Sequence, residues 1–162
     1  MNIFSNKTKL VINISALLLM VTTVITGCSV IQPPSVATGT ITEVTMAKNV
    51  DEDGRPIDPT TVFAADTPNL YLSFKISGFP VDTKIEVKWI YIGGDPEAEM
   101  LTGKNAVVET QTATTTKLGT GYTYTTYSRP GITGYETWPK GDYKVTFTVE
   151  GIEKASTYFK IQ

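Results

Sequence analysis

Apolar and polar residues alternate with a period of two along three segments of the chain. Because successive side chains of a β-strand point to opposite faces, each segment is predicted to be a strand with one face in a core and the other in water. No stretch beside them shows a stripe of period 3.6, and Gly93-Gly94-Asp95 is predicted to be a turn with no helix after it. The apolar positions are Leu70, Leu72, Phe74 and Ile76, then Ile85, Val87, Trp89 and Tyr91, and finally Tyr143, Val145, Phe147 and Val149.

Weaker strand signals fill the rest of this part of the chain. Thr40 to Met46 is predicted to be the first strand, and residues 106–116 and 122–128 are rich in the Thr and Tyr that suit a half-exposed pleated surface. Glu150-Gly151 predicts a tight turn, so Lys154 to Ile161 should pair back as a hairpin. About seven short strands separated by Gly and Pro predict an all-β, two-sheet sandwich.

Two aromatic residues favour the immunoglobulin-like form of that sandwich. Trp89 lies in the middle of the third strand, where this fold buries a tryptophan. Tyr143 lies near the start of a later strand, in the position of a tyrosine corner that hydrogen-bonds to nearby backbone. In an antibody domain a cysteine follows this tyrosine by two residues, but here Val145 stands there, facing Leu72 or Phe74. We therefore predict aliphatic packing in place of a disulfide.

The segment from Trp138 to Tyr143 has the pattern W-P-x-G-x-Y, and a terminal strand with Phe159 and Ile161 follows a turn. In these features the chain, from about Thr60 onward, resembles the immunoglobulin-like domains of uncharacterised lipoproteins from anaerobic bacteria and archaea. The resemblance implies a fold and a location in the cell envelope. It brings no known catalytic residues.

The N-terminus has the layout of an export signal. Lys7 and Lys9 precede an uncharged apolar run, Leu10 to Ile25, which is shorter than the roughly 20 residues of a membrane-spanning helix. An uncleaved anchor or a buried helix is the less favoured interpretation. Ile25-Thr26-Gly27-Cys28 resembles the bacterial lipobox, which implies cleavage before Cys28 and a diacylglyceryl group on its sulfur.

This interpretation divides the chain into a signal peptide, residues 1–27, a lipidated cysteine and tether, residues 28–38, and an immunoglobulin-like domain, residues 39–162. The protein is then exported and lipid-anchored to the outer face of the cell membrane or to the outer membrane. Cys28 is the only cysteine, so no disulfide can form within the chain. Loss of Lys7 and Lys9 would change the formal net charge from −2 to −4. Without a basic patch, no nucleic-acid partner is predicted.

The sequence contains no histidine. Serine and cysteine nucleophile systems that depend on histidine, and the usual zinc ligand sets, are therefore excluded. Carboxylate pairs exist at Glu97 with Glu99 and at Asp51 with Asp53, but nothing in the sequence places either pair in an apolar cleft, as a glycosidase requires. We predict neither an enzyme nor a cofactor.

One acidic segment has the opening of a calcium loop. Its oxygen-bearing residues are Asn49, Asp51, Asp53 and Asp58. The pattern then fails, because Thr60 stands where a bidentate glutamate is needed and Pro56 interrupts the loop. The alternative is a solvated connection between the first two strands.

Five aromatic residues crowd into one short region, namely Tyr122, Tyr124, Tyr127, Tyr135 and Trp138. A row of exposed rings could stack on sugars, whereas core packing is the common use of aromatic residues in small domains. We favour the core, with Tyr122 and Tyr124 on the inner face of their strand. The predicted function is an adhesion, scaffold or interaction module with a protein, cell-wall or glycan partner. The alternative is a carbohydrate-binding module that uses these aromatic residues.

Overall fold

A computed structural model describes residues 38–115, 121–128 and 135–162. The predicted signal peptide, Cys28 and the tether up to residue 37 lie outside the described residues. Within these residues the chain forms two sheets and one short helix. The elements in chain order are β1 (Thr40–Val50), β2 (Pro56–Pro59), β3 (Val62–Phe63), β4 (Asn69–Ser77), β5 (Lys84–Gly93), α1 (Pro96–Thr102), β6 (Ala106–Thr114), β7 (Gly121–Ser128), β8 (Gly141–Val149) and β9 (Ile152–Ile161).

The two sheets form an immunoglobulin-like sandwich, as predicted. The first sheet has the strand order β2-β1-β4-β7, and the second has the order β3-β9-β8-β5-β6. Neighbouring strands are antiparallel except β3 and β9, which run parallel. The seven predicted strands all form, and the two additional ones, β2 and β3, are short segments between β1 and β4.

The core lies between the inner faces of the two sheets. The three alternating segments are β4, β5 and β8, and their apolar positions point inward almost without exception. Trp89 is buried at the centre, and the rings of Phe74 and Phe147 meet with centroids 4.6 Å apart. Val145 and Leu72 are buried in the same cluster. Aliphatic and aromatic packing therefore occupies the place that a disulfide has in antibody domains.

The tyrosine corner is present. The Tyr143 hydroxyl donates a hydrogen bond to the carbonyl oxygen of Pro139 over 2.8 Å. Burial raises the pKa of this phenol, because the charged phenolate would lose its contact with water. This bond fixes the chain just before β8 against the end of the second sheet.

Helix α1 is the main departure from the predicted elements, since a helix does follow Gly93-Gly94-Asp95. The Asp95 carboxylate caps it by accepting hydrogen bonds from the backbone N–H groups of Glu97, at 2.9 Å, and Ala98, at 3.3 Å. Pro96 occupies the first turn, where its missing N–H costs nothing. Seven residues are too few to show a helical stripe, so the only sequence signal was the Asp-Pro pair.

Strands β6 and β7 are the edge strands on the same side of the two sheets, and side chains connect them. The amide Nε2 of Gln111 donates to the carbonyl oxygen of Thr126 over 2.8 Å. The Tyr127 hydroxyl donates to the carbonyl oxygen of Val108 over 3.2 Å. Two carbonyl groups of these edge strands are therefore satisfied inside the domain.

The chain enters the sandwich at one end, which we call the entry pole. Gly39 packs on the ring of Phe79 there, and Thr40 pairs with Ser77 at the end of β4. The opposite end, the distal pole, carries the β3–β4 connection, α1 and the segment before β8. Two hydrogen bonds join the segment before β8 to the β3–β4 connection. The Trp138 backbone N–H donates to the Ala65 carbonyl, and the Trp138 indole donates to the Thr67 carbonyl.

Candidate functional site

The outer face of the first sheet carries three tyrosines. Strand β4 directs Leu70, Leu72 and Phe74 into the core, and the residues paired with them in β7 are Tyr127, Thr125 and Thr123. Tyr122 and Tyr124 alternate with these and therefore point outward. Our prediction that Tyr122 and Tyr124 face the core is wrong.

The physical reason is the spacing of the tyrosines. Residues 122 and 124 share one face of a strand and residue 127 has the other, so the three rings cannot all be inside. Tyr127 takes the core position, where its ring lies 5.3 Å from that of Trp89 and 4.8 Å from that of Trp138. One well-packed aromatic cluster thus decides the orientation of the whole strand.

The five predicted platform aromatics do not share one surface. Tyr127 is 6% exposed and Trp138 is 1% exposed, so neither can offer a ring face to a ligand. The Trp138 indole donates to the Thr67 carbonyl over 2.6 Å, which ties it to the distal pole. Tyr135 is half-buried, and its hydroxyl has no hydrogen-bond partner among the described residues. Tyr122 and Tyr124 remain as surface residues.

Tyr122 is engaged by charged neighbours. Its hydroxyl donates to the carboxylate of Glu43, which also pairs with the Lys75 ammonium over 3.2 Å. Both hydrogen bonds stabilise the ionised carboxylate and lower the pKa of Glu43. The Arg55 guanidinium and the Lys75 ammonium lie 5.9 and 5.7 Å from the Tyr122 ring centre. The protein's own cations therefore flank this ring.

Tyr124 and Tyr71 form a separate pair of rings. Tyr124 is 49% exposed, Tyr71 is half-buried, and their ring centres lie 6.4 Å apart with planes tilted by 41°. Tyr71 was predicted only as an outward position of its strand. No sequence signal marked it as part of a site, because the cavity beside it is lined by segments that are distant in sequence.

A cavity of about 550 Å³ opens beside Tyr71 at the distal pole. Its wall comes from the end of β1, from β3 and from the β3–β4 connection. It is lined by Lys48, Asn49, Val62, Phe63, Ala64, Asp66, Thr67, Pro68, Asn69 and Tyr71. The lining is mixed, with two side-chain amides, one cation and one carboxylate beside apolar residues.

The acidic segment forms a turn. The Asp51 carboxylate accepts hydrogen bonds from the backbone N–H groups of Asp53, at 3.0 Å, and Arg55, at 2.8 Å. Asn49 accepts from the N–H group of the next residue, and Asp58 is an exposed residue of β2. In the described ranges no three acidic, cysteine or histidine side chains come together as metal ligands. Asp51 therefore holds the turn that connects β1 to β2.

The tip of this turn lies on the outer face of the first sheet. The buried Ser73 hydroxyl donates to the Gly54 carbonyl over 2.7 Å. Gly54 has a φ of +81°, and a Cβ there would lie 3.3 Å from the Thr123 Cα. The close approach holds the tip against Tyr124, so the turn forms a rim beside the tyrosine pair.

Two other apolar surfaces are present. One is a groove of about 530 Å³ across the outer face of the second sheet, lined by Ile92, Tyr158 and Val62, and Val62 also lines the cavity beside Tyr71. The other is formed by Met100 and Leu101, which α1 leaves 86% and 68% exposed.

The chain matches no protein-family model and no curated protein. Among solved structures it is similar to an immunoglobulin-like protein from Pseudomonas aeruginosa, with a TM-score of 0.51 and 13% identity over 79% of this chain and 99% of that one. This similarity supports the fold. An alkylpurine DNA glycosylase from Pseudomonas fluorescens (TM-score 0.48, 14% identity) and a β-glucosidase from Listeria innocua (0.45, 5%) match 78% and 76% of this chain. The chain spans only 31% and 16% of those two proteins.

No helix among the described residues is long and apolar enough to cross a membrane.

Proposed function

We propose that this protein is an exported lipoprotein, anchored through Cys28, that displays an immunoglobulin-like binding module on the cell envelope. The proposal rests first on the sequence Ile25-Thr26-Gly27-Cys28, placed directly after an uncharged apolar run with Lys7 and Lys9 before it. The observation that supports the proposal most strongly is the position of Cys28, whose thiol is the group that lipidation requires.

The position of the entry pole supports display. A tether of about ten residues would reach Gly39 at that pole, whereas the cavity, Trp138 and α1 lie at the distal pole. The described part of the chain therefore begins at the end of the domain opposite the cavity.

A binding role fits the chemistry better than an enzymatic one. The chain has no histidine, and its predicted carboxylate pairs have structural partners. Glu99 accepts from the Gly94 N–H over 2.9 Å and pairs with Lys104 over 3.4 Å, while Asp51 holds its own turn. We therefore propose an adhesion, scaffold or interaction module without catalytic activity.

Carbohydrate binding is the second candidate function. It is favoured by one observation, the pair formed by the half-buried Tyr71 and the exposed Tyr124 beside a polar cavity. Tyr127 and Trp138 have no part in it, because both are buried.

Metabolic labelling with an alkyne fatty acid tests the anchor. The full chain should take up the label and partition into detergent, and Cys28→Ala should abolish both. More than one acyl chain is expected, since a single chain anchors only marginally. Ser29→Ala, which alters the neighbouring residue and keeps the thiol, is the matched control and should label normally. Label on the Cys28→Ala protein, or cleavage after Gly27 in it, would refute the proposal.

A further inference from the structure

The cavity beside Tyr71 combines features that single out one class of ligand. Its volume of about 550 Å³ lies within the roughly 300–1,000 Å³ of small-ligand sites. Asn49 and Asn69 bring side-chain amides to its wall, and the amide group both donates and accepts hydrogen bonds. Such groups suit a ligand whose hydroxyls also donate and accept.

The charges at the wall disfavour other ligand classes. Lys48 is the cation of the lining and Asp66 is its carboxylate, so the cavity offers no excess of positive charge to an anion such as a phosphate. A purely apolar ligand would remove polar side chains of the wall from water without replacing the hydrogen bonds that water makes to them, which is costly. A neutral, hydroxyl-rich ligand avoids both penalties.

Tyr71 and Tyr124 supply the remaining feature. The electron-rich face of an aromatic ring attracts the slightly positive C–H groups on the apolar side of a sugar ring. The two ring centres lie 6.4 Å apart and their planes are tilted by 41°, which forms a shallow angled wall. Tyr71 belongs to this wall and to the cavity, so the two form one continuous surface.

We infer that this surface, which we call the Tyr71 site, binds a neutral saccharide. The ring faces of Tyr71 and Tyr124 contact the sugar, and Asn49 and Asn69 hydrogen-bond its hydroxyls. The amide oxygen of Asn49 already accepts from the Val50 N–H over 2.9 Å, so its NH₂ group is the part that turns to the ligand. The inference rests on the proposed role as a binding module and specifies its ligand class and its site.

Saturation-transfer-difference NMR tests this with the full chain in a detergent that has no sugar headgroup. The probes are cellobiose, lactose, mannobiose and N,N′-diacetylchitobiose, titrated separately. At least one should show saturable transfer, strongest at its ring C–H protons. Tyr71→Ala and Tyr124→Ala should each weaken that binding by about tenfold, which corresponds to about 1.4 kcal/mol. Tyr158→Ala, which removes an exposed tyrosine from the other sheet, is the matched control and should leave it unchanged.

The Tyr124→Ala variant distinguishes loss of binding from misfolding. The Tyr124 ring is about half exposed, so its removal should leave the melting temperature within a few degrees of that of the parent protein. Absence of saturable transfer from all four probes would overturn the inference, as would binding that survives both Tyr71→Ala and Tyr124→Ala.

The Cys28→Ala variant distinguishes failure of the lipid-anchor proposal from failure of the saccharide inference. It should bind the sugar normally, so loss of lipid labelling and loss of sugar binding are independent failures.

Discussion

The indole Nε1 of Trp89 donates a hydrogen bond to the amide oxygen of Gln111 over 3.3 Å. The same amide oxygen accepts from the hydroxyl of Thr125, and the amide nitrogen donates to the carbonyl of Thr126 over 2.8 Å. Trp89 and Gln111 belong to the second sheet, whereas the two threonines belong to the first. One glutamine therefore satisfies polar groups of both sheets at the side where β6 faces β7.

Gln111→Ala should lower the free energy of unfolding by about 1–3 kcal/mol, because it leaves the indole N–H and a backbone carbonyl without partners. Urea denaturation of the full chain in detergent measures the change. Thr112→Ala, at the adjacent exposed position of β6, is the control and should change stability by less than about 0.5 kcal/mol. Equal stabilities for the two variants would show that Gln111 is not a structural link.

Trp89→Ala should cost about 3–5 kcal/mol, the range for removal of a large buried aromatic side chain. Its ring packs against Tyr127 at 5.3 Å and Phe159 at 6.0 Å, so the cavity left behind cannot collapse without moving both sheets. The measurement is the same urea titration. A loss below about 1 kcal/mol would contradict the buried position of this side chain.

Tyr143→Phe isolates the hydrogen bond of the tyrosine corner, because the ring stays and only the hydroxyl is lost. The expected loss is about 1 kcal/mol, the usual net worth of one such bond, with an additional penalty for the unpaired Pro139 carbonyl. Tyr158→Phe is the matched control, since that tyrosine is mostly exposed on β9. A Tyr143→Phe protein as stable as the control would mean that the bond contributes nothing.

Gly141→Ala should destabilise the distal pole strongly. A Cβ at this position would lie 2.2 Å from the Gly93 carbonyl oxygen, and the backbone φ is +142°. The two strands would have to separate where β5 pairs with the start of β8. Gly121→Ala is the matched control, because no atom of the described residues lies within 4 Å of a Cβ placed there. Thermal melts should show a clear drop for the first variant and little change for the second.

The Glu43 carboxylate should make stability depend on acid pH. Its pKa is lowered from 4.5 by the hydrogen bonds from Tyr122 and Lys75, so the unfolded chain binds a proton before the folded one does. The contribution is present above pH 4.5 and is lost as the pH falls through the lower folded value. Glu43→Gln should therefore have a lower urea midpoint than the parent protein at neutral pH. The two midpoints should approach each other as the pH falls. Tyr122→Phe should behave similarly, and a difference that is constant with pH would contradict this cause.

The fold could be predicted because its main determinants are local. Alternation in β4, β5 and β8 fixes which residues enter the core, and the positions of Trp89 and Tyr143 select the immunoglobulin-like arrangement. The orientation of β7 could not be predicted in the same way. Threonine is compatible with either face of a strand, so the threonines of β7 do not determine which face enters the core. The contact between Tyr127 and Trp138 determines it, and no periodicity of the sequence predicts that contact.

The site could be predicted less well than the fold. Tyr124 was one of the five aromatic residues that the sequence indicated as a possible ligand platform. None of those five residues lines the cavity. Lys48 and Asn49 reach it from β1 and the remaining residues from the region of β3 and β4. Its formation depends on the short strand β3 and the connection after it, segments that have no alternating pattern. The lipid on Cys28 stays a prediction.

The parallel pairing of β3 with β9 gives the domain a mechanical property. Val62 and Phe63 lie beside Lys160 and Ile161, and N–H groups of residues 160 and 162 donate to the carbonyls of residues 61 and 63 over 2.8 and 2.9 Å. A pull on Gln162 along β9, with the chain before β3 held, slides the two strands lengthwise past each other. These bonds must then break together rather than one after another, which single-molecule stretching would record as one high-force event. Tension that enters the domain through Gln162 in this direction is therefore carried first by these few residues.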